Sequence, residues 1–399
     1  MPRPTHPDPE LPPPLLPSDP GSFAGRTITE GKPQNIRQAL ADNNYPPGIV
    51  RALEALRAEL ASGAARPLGE HNPDALLWNR ELVPHRGKPW LELPWYFAEA
   101  YFYRRLLEAV RYFRPGPWRG RDPLARQKRE LEETAVAWLA ANWRRLTGAA
   151  PAAVCGALLH ASLWGNRADL SNMALGLHTL GAPAAREERH LILIDHTDAA
   201  RALMARGLRR VDFVNDNVGL DLLSDMALAD FLLAQGWVQE IVFHLKNQPF
   251  FVSDAMVADL QATLSLLSAL PAERRPQGLA ARLRAHIGSG RLVLAEDAFW
   301  TSGLMFRRLP PHLRAELARS DLVILKGDVN YRRLLDDRHW PHTTRLADAT
   351  AYFPAPFLVL RTLKGEIMVG LEPGQAQRLA AEDPEWLFNG KRGIIHLVE

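Results

Sequence analysis

The sequence predicts an α/β fold, a three-layer α/β/α domain around a mainly parallel sheet, with a helical domain on its N-terminal side. Three observations carry this expectation. From His190 onward, short apolar runs alternate with helical patterns of about ten residues, the mark of strands joined by crossover helices. Before that point, apolar residues recur only at helical spacing. Within the second part, Val211–Met256 reads strand, helix, strand, and a right-handed crossover of that kind lays its two strands parallel. The expected organisation is a proline-rich arm over 1–40, a helical domain over 41–186 and an α/β domain over 187–399.

The arm is densest in proline up to about Pro20, with Pro12, Pro13 and Pro14 in a row, and can form only short extended segments there. No role is legible for it. Helical spacing follows over Ile49–Ala61, Pro94–Phe113, Leu124–Leu146 and Pro151–Leu163, with Phe102, Leu106, Val110 and Phe113 as the clearest stripe. Two polar clusters interrupt this pattern. One is Trp95, Glu99, Tyr103, Arg104 and Arg105, which reads as a solvated helix face beside an aromatic core. The other is LWGNRADLSN, Leu163–Asn172, which reads as a helix-turn-helix closed by an Asp or Asn cap.

In the α/β part the expected strands are His190–Ile194, Val211–Val214, Val238–Leu245, Leu292–Leu294, Leu322–Leu325, Phe357–Leu360 and Ile367–Leu371. The last two lie close together, as an antiparallel edge pair would. Helical patterns at Asp198–Arg206, Asp221–Gln235, Asp254–Leu270, Gln277–His286 and Leu313–Arg319 fill most of the gaps. The second of these carries Leu220, Leu223, Ala227, Phe231 and Ala234 on one face and is stopped by Gly236.

Composition narrows the function. A chain of 399 residues with 47% hydrophobic residues can bury a large core. Its 48 basic and 45 acidic residues nearly balance, which argues against nucleic acid as a partner. A single cysteine, Cys155, excludes an internal disulfide and fits a reducing, cytoplasmic setting. No uninterrupted apolar window is long enough to span a bilayer, so no membrane partner is expected. Phosphate loops, dinucleotide-binding glycine patterns and serine-nucleophile elbows are all absent.

In a parallel sheet, chemistry gathers beyond the carboxyl ends of the strands. There this sequence places Asp216-Asn217, then Asp221 at a helix start, Asp254 after the next strand, Lys326-Gly327-Asp328 with Asn330, Tyr331 and Arg332, and finally Arg361 to Lys364. Two carboxylates and an amide carbonyl are hard oxygen donors that suit Mg²⁺ or Mn²⁺. Each residue also has a plainer reading: Asp221 and Asp254 as helix caps, Lys326 and Arg332 as surface charge, Gly327 as a turn glycine. Repetition at three strand ends favours a phosphate bound through a divalent cation. Asp195-His196-Thr197-Asp198 reads as a helix cap, and His244 and His286 read as structural.

The segments PWYFAEAYFYRR, LWGNRADLSN, VNDNVGLDLLSDMALADFLL, HLKNQPFFVSD, LKGDVNYRRLLDDRHW and the Arg-Thr-x-Lys signature at Arg361–Lys364 together carry a resemblance. The chain resembles the damage-control phosphatases once grouped as domain of unknown function 89, and looks most like the subfamily that includes the acidic-residue methyltransferase 1 proteins. That resemblance implies a divalent metal on Asp216, Asn217 and Asp254. It implies a phosphorylated substrate held by the loop Asp328 to Arg332, with Asn330 and Tyr331, and by Lys364; Asp216, Asn217 and Lys326 are further expected substrate contacts. Asp221 stands where relatives often carry Glu, and its shorter side chain alters that contribution. Glu99, Asn166, Asp169 and Arg361 are further cleft candidates.

The expected activity is metal-dependent hydrolysis of small phosphorylated metabolites, with hexose phosphates such as fructose 1-phosphate or fructose 6-phosphate foremost. Mn²⁺ or Mg²⁺ is the expected ion, with Co²⁺ or Ni²⁺ as substitutes, and Asp254 or Asp328 the proton acceptor. The alternatives are methyl transfer from S-adenosylmethionine to protein carboxylates, or a metal-stabilised binding module without catalysis.

Overall fold

Runs such as LVIL in Leu322–Leu325 have no polar face, so a strand made from them must be covered on both sides. The computed structural model, which describes residues 11–19, 21–147, 149–165, 190–276 and 278–399, shows that covering. Seven strands form one sheet: β1 (Ile192–Asp195), β2 (Leu208–Val214), β3 (Val238–Leu245), β4 (Leu292–Glu296), β5 (Leu322–Lys326), β6 (Phe357–Thr362) and β7 (Gly393–Val398). Their order is β1-β7-β6-β5-β2-β3-β4. Every neighbouring pair is parallel except β6 with β7.

The helices are α1 (Phe23–Arg26), α2 (Lys32–Asp42), α3 (Pro47–Ser62), α4 (Pro73–Leu82), α5 (Trp95–Ala109), α6 (Ala125–Thr147) and α7 (Pro151–Trp164). After β1 come α8 (Thr197–Met204), α9 (Leu220–Ala234), α10 (Val257–Ala269), α11 (Leu279–Gly288), α12 (Pro311–Leu317), α13 (Gly327–Leu334), α14 (Leu346–Ala349) and α15 (Gln375–Glu382). Gly236 ends α9 at φ +70°, a conformation that costs glycine little. Among the described residues, no helix is long and apolar enough to cross a membrane.

Alternation along the central strands sorts the core into two layers. Leu322 and Ile324 of β5 join Leu358 and Leu360 of β6 against α6, α7, α9, α10 and α11. Val323 and Leu325 face the other way with Phe357 and Val359, packing against α12, α13 and the arm residues Leu15 and Ala24. A third cluster unites α2 to α5. Helices α6 and α7 thus share the core of the sheet, while α2 to α5 form their own.

One expected strand is corrected. Ile367–Leu371 is not in the sheet, because its backbone donors are used elsewhere: Val369 N–H donates to the Tyr331 hydroxyl at 3.1 Å, Gly370 N–H to Thr344 O at 2.8 Å and Leu371 N–H to His342 O at 2.9 Å. Gly393–Val398 takes the antiparallel place beside β6, and it does so inside the sheet, not at its edge.

Candidate functional site

The chain extends the sheet one way from β2 through β3 to β4, then returns to lay β5 and β6 on the other side of β2. The carboxyl ends of β2 and β5 therefore flank a reversal in strand order, where open α/β sheets leave a crevice. Four adjacent strands, β3, β2, β5 and β6, deliver residues to it. Asp216 and Asn217 follow β2, Gly327 and Asp328 follow β5, and Lys364 follows β6. Asp254 returns from the loop after β3 to form an isolated antiparallel bridge with Asn217.

The acidic half is tightly tied. Val218 N–H donates to Ser253 O at 2.7 Å, and Ala255 N–H to Asp216 O at 2.8 Å, which fixes the β2 tip against the Asp254 loop. The Asn217 amide donates to Asp216 Oδ2 at 2.5 Å and lies 3.4 Å from Asp221 Oδ2, while its carbonyl accepts from the Ser253 hydroxyl at 2.7 Å. Lys246 Nζ stands 3.2 Å from Asp254 Oδ2 and donates to Asn215 O at 3.0 Å. Burial pushes the Asp216 carboxyl well above its usual range, and the charges of Asp254 and Asp221 push it further. Asp254 is raised for the same first reason, partly offset by Lys246.

The basic half is ordered by Arg361. Its Nε donates to Asp328 Oδ1 at 2.7 Å, and its other nitrogens donate to Ile367 O at 2.6 Å and Gly365 O at 3.1 Å. The Lys364 N–H also donates to Asp328 Oδ1, at 3.1 Å. Half-buried Lys364 has its ammonium pKa lowered by burial, against the pull of Asp216, Asp221 and Asp328. Two of those three carboxylates, Asp216 and Asp221, belong to the acidic half, so the charge of the amine is felt across the crevice.

Other expected residues have structural partners. Lys326 is buried in a polar knot, 2.8 Å from Asp221 Oδ1, 2.9 Å from Asp225 Oδ1 and donating to the Ser162 hydroxyl at 2.7 Å. Asn330 donates to Lys326 O at 2.8 Å and Val214 O at 3.3 Å. Tyr331 is wholly buried under Arg361, whose guanidinium sits 4.1 Å from its ring. Arg332 binds Glu99 Oε2 at 2.6 Å and Asp337 Oδ1 at 2.8 Å and lies 3.4 Å over Trp95. Lys326 and Arg332 are thus not surface charges, and Glu99 is not on a solvated face. Asn166 and Asp169 lie outside the described residues. Asp254 does not cap α10, since that cap falls at Met256.

Two groups of acidic residues could hold a cation. Asp254 Oδ2 is buried 3.2 Å from the Lys246 ammonium, and burial together with the neighbouring carboxylates raises Asp216, as happens where acidic groups are packed at a place a cation would favour, so this donor set fits a hard divalent ion. The other group, Asp212, His244 and Glu316, brings its ligand atoms within 4.8 Å of one another. There Arg210 already serves as the cation, with 2.7 Å bonds to both Asp212 oxygens and one of 3.0 Å to Glu316. That second group is an ion-pair network below the strand tips.

A family model for the damage-control phosphatase ARMT1-like domain matches residues 27–379. The chain belongs to that family. Damage-control phosphatase ARMT1 of Rattus norvegicus is 33% identical over 429 residues, covering 96% of this chain and 97% of the relative. Its counterpart in Homo sapiens is 29% identical over 436 residues, covering 96% and 98%. A solved DUF89 family protein from Pyrococcus horikoshii shares the fold at a TM-score of 0.51 and 12% identity, over 94% of this chain and 98% of its own.

Within this damage-control phosphatase, sequence reasoning passed over Lys246, Ser253, Asp225 and Ser162. Lys246 was findable, because it follows β3 directly as Asp216 follows β2. Ser162 and Asp225 gave no signal, since helical patterns do not say which polar residue turns inward.

Proposed function

We propose that the chain hydrolyses small phosphomonoesters with the help of a divalent cation held by Asp216, Asn217 and Asp254, Mn²⁺ or Mg²⁺ before Co²⁺ or Ni²⁺. Hexose phosphates such as fructose 1-phosphate and fructose 6-phosphate are the leading substrates. One observation carries the reading: at a strand-order reversal the buried carboxylates of Asp216 and Asp254 stand beyond the tips of β2 and β3, and the amine that follows β6, Lys364, feels the charges of Asp216, Asp221 and Asp328. When bound, the cation supplies positive charge against the phosphoryl oxygens and lowers the pKa of water at the site.

The chain's own groups divide the remaining work. Lys364 faces the acidic cluster and stabilises equatorial phosphoryl oxygens, an electrostatic task because phosphoryl transfer asks mainly for positioning. Asp328 has one oxygen fixed by Arg361 and the Lys364 N–H, and its other oxygen lies against Gly365, beside the Lys364 loop. Asp254, with its raised pKa, is suited to take the proton of the attacking water, and Asp328 is the second candidate. Lys326 and Arg332 act at one remove, holding Asp221 and α13 in place.

The test is a screen of the purified chain against phosphorylated metabolites with each of the four ions, repeated with Asp254→Asn. Release of phosphate from hexose phosphates that the variant has lost is the expected result. Undiminished turnover by the variant would remove Asp254 from the mechanism.

A further inference from the structure

The proline-rich arm makes contacts that a loose tail would not. Pro14 bridges to Arg338, Leu15 N–H donates to Asp337 O at 3.0 Å, and Leu15 O accepts from Trp95 N–H at 3.0 Å. The Arg338 guanidinium donates to Pro12 O at 2.6 Å. Leu15 and Ala24, 2% and 0% exposed, are buried in the core cluster that holds Leu363 and Ile367. Two residues beyond Lys364, the carboxylate of Glu366 accepts from the N–H groups of Phe23 and Ala24 at 2.9 and 3.2 Å. Phe23 also stacks on Phe388 with ring centroids 4.7 Å apart. Gly390, two residues past that ring, donates its N–H to Leu363 O at 3.0 Å, and a Cβ on it would stand 3.7 Å from Lys364 Cε. The arm therefore holds the Lys364 loop directly at Glu366 and, through the Phe388–Gly390 segment, at Leu363 on its other flank.

We propose that residues 15–19 and 21–26 form a positioning strap for the Lys364 loop, with Glu366 as its anchor. The inference rests on Lys364 being the phosphate-facing cation of the proposed function. A loop held on one flank spreads a long side chain over several positions, whereas one held on both flanks keeps the amine over Asp216. Displacement by about 1 Å at such a group costs on the order of 10²-fold in rate. Residues 15–26 lie just before 27–379, the stretch that the family model matches, so the strap works on the family domain from outside it.

The test uses the full chain with Glu366→Ala, which removes both acceptors. Faster amide hydrogen exchange is expected at Phe23, at Ala24 and over 363–366. The kcat/KM for fructose 1-phosphate with Mn²⁺ should fall by at least about tenfold, mostly through kcat, and Glu366→Gln, which keeps one acceptor oxygen, should recover part of the loss. Thermal unfolding checks that the variants fold. If Glu366→Ala does not, Phe23→Leu, which keeps the burial and loses the ring stack, replaces it with the same expectations. Unchanged exchange over 363–366 overturns the strap, and faster exchange with unchanged kcat/KM overturns its positioning role. Exchange needs no turnover, so a wild-type chain that releases no phosphate would defeat the proposed function alone and leave loop exchange to decide the strap.

Discussion

Gly327 and Asp216 touch so closely that a Cβ on the glycine would overlap the aspartate's Oδ2. This contact closes the gap between the tips of β5 and β2, and the glycine holds it at φ +79°. Gly327→Ala must strain that backbone, at about 1–3 kcal/mol, and move the carboxylate as well. Denaturant unfolding should show a loss of at least that size, and phosphate release should fall roughly 100-fold. Wild-type turnover in this variant would mean that Asp216 need not sit where it does.

The two lysines beside the crevice should respond differently. Lys326→Met strands Asp221 and Asp225, and breaking such a buried pair costs about 3–5 kcal/mol. Burial already pushes Asp225 up to about 6, with Lys326 pulling it back, so the variant should lose less stability at pH 5, where that carboxyl takes up a proton, than at pH 8. Lys364→Met, by contrast, removes an ammonium that burial disfavours. It should keep its melting temperature and lose about 100-fold in kcat/KM. Equal melting losses in the two variants would contradict this division.

Binding of Mn²⁺ should relieve the crowding of Asp216, Asp221 and Asp254. At a free concentration 100 times its Kd it stabilises the folded chain by about 2.7 kcal/mol, read as a rise in melting temperature. Asp254→Asn should abolish most of that rise. A full rise in the variant would place the ion elsewhere, the Asp212–His244–Glu316 group being the first place to look.

Glu99 carries a pH signature. Burial pushes its carboxyl up, yet Lys32 and Arg332 hold it down at about 2. Because the folded value lies below the ordinary 4.5, Glu99 contributes stability that is complete above about pH 4.5 and disappears as pH falls toward 2. A shift of that size corresponds to roughly 3 kcal/mol. Glu99→Gln should flatten the stability profile across this window, measured by urea unfolding at pH 5, 4 and 3. Parallel profiles for the two proteins would exclude the ion triad as a source of acid sensitivity.

What the sequence revealed follows from which interactions are local. The strand, helix and strand of 208–245 were legible because periodicity and Gly236 mark them, and parallel neighbours β2 and β3 bring Asp216, Asn217 and Asp254 together as the crossover requires. The directions of Lys326 and Arg332 were hidden, since their partners are distant along the chain: Glu99 is 233 residues from Arg332 and Ser162 is 164 from Lys326. β7 was missed for another reason. Ile367–Leu371 and Gly393–Val398 are equally short and apolar, and periodicity does not tell a strand from a buried loop at that length.

The seating of β7 between β1 and β6 also bears on how the molecule comes into being. Ile192 pairs with Gly393, 201 positions downstream (393 − 192), and among the described residues β1 has no other neighbour in the sheet. During synthesis β1 must wait, unzipped, until the seventh strand emerges from the ribosome. High contact order of this kind slows the final step, so β1 and α8 should be the last pieces to gain protection during refolding.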